Sequence, residues 1–191
     1  MINLAVFASG SGSNAENLAL YFDGHPEIRV SLMLSNRHDA FVLQRAQRLN
    51  IPVLSFTKDD FYHSDKVLKI LSERRIDRLV LAGFLWLVPD NLLKAFPQRI
   101  INIHPALLPR YGGKGMYGRH VHEAVVAGGE KETGITIHLV DAEYDRGEIL
   151  FQANCPVLPD DTAESVAAKV HELEYRYFPE VIERWILTLQ S

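Results

Sequence analysis

Apolar residues fall in short unbroken runs, and stretches of helical period separate the runs. Ile2–Phe7 is apolar except at Asn3 and stops at Ser9-Gly10, which predicts a buried strand. Residues 14–22 read as a helix, 30–34 as a second strand, and 40–49 as a helix leading into Pro52-Val-Leu54. Residues 66–75 are helical in pattern, while 79–82 and 99–103 are further apolar strands. Continuous apolar strands alternating with helices predict a parallel sheet covered on both faces. Beyond Pro105 the rhythm changes. Gly112-Gly-Lys-Gly-Met-Tyr-Gly118 is a glycine-rich loop, followed by a helix through 122–126. Residues 134–140 alternate as a strand does, and 148–155 can pair beside them across the turn at 141–147. Asp161 or Thr162 can cap a long last helix bearing Val166, Val170, Leu173 and Tyr177, which Pro179 is expected to kink or split. The pattern predicts an α/β fold: a doubly wound, mostly parallel sheet with antiparallel pairing in its second half, in three α/β/α layers.

Composition narrows the class without changing this picture. The 191 residues suffice for one substantial core, and no repeat or linker divides them, so a single domain over 1–191 is expected. Hydrophobic residues make up 47% and charged residues 23%, as in soluble globular proteins. A net charge of -4 argues against a nucleic-acid or anionic-membrane surface. Cys155 is the only cysteine, which excludes an intrachain disulfide and a zinc site of several thiolates. The apolar start is too short for a signal peptide or a membrane span, so a cytoplasmic protein is expected. Eight histidines raise the question of a metal. His120 and His122 do not share a helix face, and His122-Glu123 lacks the second histidine of a zinc helix, so none is expected.

Two sites carry candidate chemistry. Ser9-Gly10-Ser11-Gly12-Ser13-Asn14-Ala15 follows the first strand and opens a helix, where free backbone N–H groups and a helix dipole suit an anion. A dinucleotide site would need a carboxylate after the second strand; Ser35-Asn36-Arg37 stands there instead, which favours a phosphate monoester over NAD. Asn102 and His104 lie two apart at a strand end, on one face, with Cα atoms about 7 Å apart. An imidazole there can move a proton or donate to an oxyanion, and an amide adds an uncharged donor. On its own such a pair commonly does no more than satisfy nearby backbone.

Asn102-Ile-His-Pro-Ala-Leu-Leu-Pro-Arg110 resembles the signature of the folate-dependent formyltransferases. Gly12-Ser13-Asn14 is similar to the phosphate loop of the glycinamide ribonucleotide branch of that family. Leu81-Ala-Gly-Phe-Leu-Trp-Leu-Val88 resembles its folate-pocket segment, and Gly134-Ile-Thr-Ile-His-Leu-Val140 with Asp145 and Gly147 its last catalytic stretch. The resemblance implies a Rossmann-like fold and transfer of formyl from 10-formyltetrahydrofolate to the amine of glycinamide ribonucleotide, in purine biosynthesis. It implies catalysis by Asn102, His104 and Asp145. A protonated His104 would join Asn102 as an oxyanion donor, with Asp145 raising its pKa if the two are close. Gly12, Ser13, Asn14 and Glu174 would bind the ribonucleotide; Leu85, Trp86, Leu87, Val88, Asn102 and Asp141 would bind the folate. Small molecules are then the only partners implied, with a monomer or homodimer left open.

Three departures from the family pattern stand out. No Arg lies in Phe61-Tyr-His-Ser-Asp-Lys66, the loop from Tyr111 to His120 is longer than usual, and Trp86 replaces a different side chain. Rival readings are a formyltetrahydrofolate hydrolase, expected to carry an extra N-terminal domain, and a non-catalytic binder of phosphoribosyl ligands. The methionyl-tRNA formyltransferase would need a C-terminal RNA-binding domain and a basic surface.

Overall fold

Strands and helices alternate through the first two thirds of the chain in a computed structural model that describes residues 1–188. The elements are β1 (Ile2–Phe7), α1 (Ser13–Tyr21), β2 (Ile28–Ser35), α2 (Phe41–Arg48), β3 (Val53–Ser55), α3 (Lys58–Tyr62) and α4 (Lys66–Glu73). They continue with β4 (Arg78–Leu81), α5 (Asp90–Ala95), β5 (Ile100–His104), α6 (Arg119–Ala127), β6 (Glu132–Leu139), β7 (Ile149–Pro156) and α7 (Ala163–Thr188). The strand order is β3-β2-β1-β4-β5-β6-β7. The sheet is therefore wound outward from β1 in both directions, and its order reverses between β1 and β4. In such sheets the carboxyl ends of the strands at the reversal are where ligands bind. Contacts within the chain gather into two compact units, one ending at Ile101 and the other starting at Asn102.

In the first unit β1 pairs in parallel with β2 and β4, and β2 with β3. Leu4, Ala5, Val6, Leu32, Met33, Leu34 and Val80 are fully buried, as strands covered on both faces require. Asn3 interrupts this run without penalty. Its carbonyl accepts from Arg29 Nε and Ser31 Oγ, and its amide donates to the Arg75 carbonyl. The short helices α3 and α5 lie where no strong periodicity predicts them. The first is made by a capping box between Thr57 and Asp60.

In the second unit β6 and β7 are antiparallel, as the alternation predicts. The Thr136 hydroxyl of β6 is buried and donates to the Ala106 carbonyl. It accepts from the Leu108 N–H and from Gln152 Nε2, so one side chain ties the segment after β5 to two strands. Thr162 caps α7: its hydroxyl accepts the Ser165 N–H while Ser165 Oγ accepts its own N–H. Of the two outcomes expected at Pro179, a kink or a split, the split does not occur, for α7 runs through it as one helix. A mid-helix proline costs about 3 kcal/mol. Burial of Val170, Phe178, Val181, Ile182 and Ile186 on either side offsets that, at roughly 1.5–3 kcal/mol for each large side chain.

Candidate active site

Two loops meet at the reversal in strand order, both within the first unit. After β1 the chain turns through Gly12, whose φ of 71° lies in the left-handed region. A Cβ there would lie 2.4 Å from Val42 Cβ, so glycine alone lets the loop sit this close to α2. Gly12 is also the N-cap of α1, with no side-chain hydrogen bond at the cap, and its carbonyl accepts the Glu16 N–H that opens the helix. Arg45 of α2 donates to the Ser11 carbonyl and pairs with Glu16 of α1, which fixes the loop from behind. After β4 the second loop is bound to the first: Ser9 N–H donates to the Gly83 carbonyl, and Leu85 N–H to Ser9 Oγ.

That second loop contains the four residues assigned to the folate pocket, and it does not treat them alike. Leu85 is exposed and Trp86 and Leu87 are half-buried, whereas Val88 belongs to the core. The Trp86 ring packs at 5.9–6.3 Å from Phe56, Phe61, Tyr62 and Phe84, with Lys58 Nζ 5.8 Å from its centroid. Tyr62 donates to the Leu87 carbonyl. An apolar wall with backbone anchored by hydrogen bonds suits a flat heterocycle.

The second unit brings the candidate catalytic side chains together. β5 delivers Asn102 and His104, and the turn after β6 delivers Asp145. His104 Nδ1 lies 3.5 Å from Asp145 Oδ2. Asn102 Nδ2 and Asp145 meet through a residue the sequence reading passed over. His138 Nε2 lies 3.0 Å from Asn102 Nδ2 and 3.6 Å from Asp145 Oδ1. His138 Nδ1 is 2.7 Å from the Leu139 carbonyl, which can only accept. A proton on Nδ1 meets that carbonyl, and Nε2 faces both the Asn102 amide and the Asp145 carboxylate. A histidine among the buried positions of β6, two residues from the buried Thr136, is the available signal for it.

Protonation in this group follows from burial. His104 is 4% exposed, and burial pushes its imidazole below the ordinary histidine value. The Asp145 charge and the Tyr111 carbonyl pull the other way and do not prevail. The expected rise in its pKa is therefore corrected: Asp145 acts in the expected direction, but desolvation is larger. Burial likewise pushes Asp145 up, but contacts from His138, His104 and the Gly113 N–H together hold it below its usual value. The resting site is a neutral imidazole beside a carboxylate, a pair able to take up a proton.

Glu174, on α7, is 5% exposed, far from the solvated helix position its residue type suggests. Its carboxylate lies 2.7 Å from His171 Nδ1, and that hydrogen bond raises the His171 pKa against the effect of burial. Asp141 is exposed, and its carboxylate accepts the Glu143 N–H to shape the turn that ends in Asp145. Among the described residues no group of three or more His, Cys, Asp or Glu could hold a metal ion. None of the helices described is long and apolar enough to cross a membrane.

A doubly wound sheet, a glycine turn into α1 without a ribose carboxylate after β2, and an amide–imidazole–carboxylate group define a Rossmann-like fold with a candidate proton-transfer site. The chain belongs to the formyl transferase family, whose model matches residues 2–182. It is 42% identical over 185 residues to a chloroplast phosphoribosylglycinamide formyltransferase of Arabidopsis thaliana, matching 94% of this chain. The chain spans only 63% of that relative's length. It is 34% identical to a phosphoribosylglycinamide formyltransferase of Haemophilus influenzae, with 96% of this chain and 86% of the relative covered. The solved phosphoribosylglycinamide formyltransferase of Streptococcus pneumoniae superposes with a TM-score of 0.86 at 36% identity, over 97% of this chain and 99% of that one.

Proposed function

We propose that this protein transfers a formyl group from 10-formyltetrahydrofolate to the amine of glycinamide ribonucleotide, a step of purine biosynthesis. The observation that carries the reading is the grouping of Asn102, His104, His138 and Asp145 around the end of β5, in a chain whose relatives bear that activity in their names. Gly12, Ser13 and Asn14 bind the phosphate through the N-terminus of α1, and Glu174 binds the ribonucleotide from α7. Leu85, Trp86 and Leu87 line the pterin site, with Val88 supporting them from the core. Asp141 acts by setting the turn that carries Asp145.

The chemistry follows from the charges at rest. The neutral amine attacks the formyl carbon, and an oxyanion and a positively charged nitrogen develop together. Asn102 has a second amide N–H besides the one that meets His138, and it donates to the oxyanion, a contribution of about 3–4 kcal/mol for such donors. His104 enters neutral and takes the proton the new ammonium must lose, and Asp145 stabilises the imidazolium so formed. That proton is returned to the folate nitrogen as the carbon–nitrogen bond breaks and the carbonyl reforms. No covalent bond to the protein is needed.

The match of one family model across residues 2–182 supports treating the chain as one functional domain. A single cysteine is in keeping with a reducing compartment such as the cytoplasm. The deciding experiment follows release of the folate amine with and without glycinamide ribonucleotide. Release that depends on the ribonucleotide is expected. Turnover that ignores it would mean a hydrolase, and no turnover would mean a ligand-binding module.

A further inference from the structure

The segment between β5 and α6 is attached to both halves of the His104–Asp145 pair. His104 Nε2 lies 2.7 Å from the Tyr111 carbonyl, and the Gly113 N–H donates to Asp145 Oδ2 at 2.9 Å. A carbonyl can only accept, so the contact requires the His104 proton on Nε2 and leaves the Nδ1 lone pair facing Asp145. Three consecutive residues thus set the tautomer of the base and the position of the carboxylate.

Tyr111 is itself held from outside the site. Its φ of 56° is a left-handed conformation that a bulky residue adopts only under constraint. The constraint is its side chain. The phenol donates to Glu130 Oε1 at 2.7 Å, and Arg110 pairs with the same carboxylate. Glu130 follows the Gly128-Gly129 end of α6, and a Cβ on Gly128 would lie 2.4 Å from the Tyr111 oxygen. The helix end is therefore cut back where the phenol rests. Of the two residues only the Tyr111 carbonyl entered the site described above, through its contact with His104; neither the phenol nor Glu130 did.

We propose that Tyr111 is a positioning residue for the reaction: anchored by its phenol to Glu130 at the end of α6, it holds through its own carbonyl and the Gly113 N–H the relative placement of His104 and Asp145. The phenol touches neither substrate nor reacting atoms. Its loss frees the carbonyl to move and lets the His104 ring exchange between its two neutral forms.

The kinetic part of the test rests on the formyl-transfer reading; the spectroscopic part does not. In the full-length, ligand-free protein the ring nitrogens of His104 are followed by 15N NMR at neutral pH. The wild type is expected to show the Nε2–H form, and Tyr111→Phe a mixture of both. Turnover of glycinamide ribonucleotide by Tyr111→Phe is expected to fall about ten- to a hundredfold in kcat at unchanged KM. Glu130→Gln keeps an acceptor for the phenol and is expected to behave as wild type, while Glu130→Ala reproduces Tyr111→Phe. The Glu130 pair decides the matter if Tyr111→Phe does not fold. Wild-type ring signals in Tyr111→Phe and in Glu130→Ala would overturn the proposal, whatever the kinetics. So would a Glu130→Gln variant as impaired as Glu130→Ala. If the wild type itself does not turn over the ribonucleotide, the formyl-transfer reading fails and the ring signals alone decide the role of Tyr111.

Discussion

In the proposed reaction Asn102 and Asp145 meet charge that exists only during the transfer, so removing either is expected to change kcat far more than KM. Asn102→Ala should lower kcat about 10²–10³-fold, the usual effect of one oxyanion donor, with an unchanged circular dichroism spectrum. A loss below tenfold would place the oxyanion elsewhere. Asp145→Asn removes the charge that pulls the His104 pKa up and leaves burial unopposed. The acid limb of kcat/KM, which reports the free enzyme, is expected below the ordinary histidine value, and this variant should move it lower still. Loss of the limb altogether would show that Asp145, and not His104, titrates there. At this scale the sequence was partly legible. The Asn-x-His pair and the late aspartate could be named from the family resemblance. The sign of the His104 shift could not, because it depends on how completely the ring is buried. His138 was hidden for the opposite reason: within an apolar strand it reads as packing until its two nitrogens have partners.

The elements that carry these residues were more legible than the contacts between them. Each long strand and helix of the first unit follows from apolar runs and helical period, and the β6–β7 pairing follows from simple alternation. The helices α3 and α5 were not visible because five or six residues show no period, and capping rather than amphipathicity makes α3. Pro179 does not split α7 for a related reason, since local propensity takes no account of the buried face that carries the helix through it. Two predictions belong at this scale. Gly12→Ala forces a Cβ against Val42 in a left-handed turn, so it should distort the phosphate loop. Its expected signature is a raised KM for the ribonucleotide with the KM for the folate unchanged; equal changes in both would mean general damage. Thr136→Val keeps the shape and removes a buried hydroxyl that serves Ala106, Leu108 and Gln152 together. Leaving those groups unsatisfied should cost about 2–4 kcal/mol in urea unfolding at constant m-value. A cost below 1 kcal/mol would show that the segment after β5 is held by other contacts.

For the whole molecule, buried histidines should dominate the response to mild acid. His104 and His122 are both pushed down by burial, so between the ordinary histidine value and their folded values the unfolded chain binds protons that the folded chain does not. Stability must then fall as pH drops below about 6.5, by at most about 1.4 kcal/mol per pH unit for each such group. His171 works in reverse. Its raised pKa adds stability that is complete below about 6.5 and is lost as pH rises through the folded value. Carboxylates enter only in stronger acid. Asp161, held down to about 2 by Lys169, the Leu158 N–H and Ser165, adds stability above its unfolded value that is lost as pH falls toward 2. His104→Gln separates these contributions, since it removes one buried group that must stay neutral and keeps a polar side chain of similar reach. Urea unfolding of wild type and variant between pH 7.5 and 4.5, an interval of about three pH units around the histidine value, should show a shallower acid decline in the variant. The difference should open below about pH 6.5 and stop growing once His104 titrates in the folded wild type. If the two curves stay parallel throughout, burial does not hold His104 neutral, and the proton acceptor proposed for the reaction would have to be Asp145.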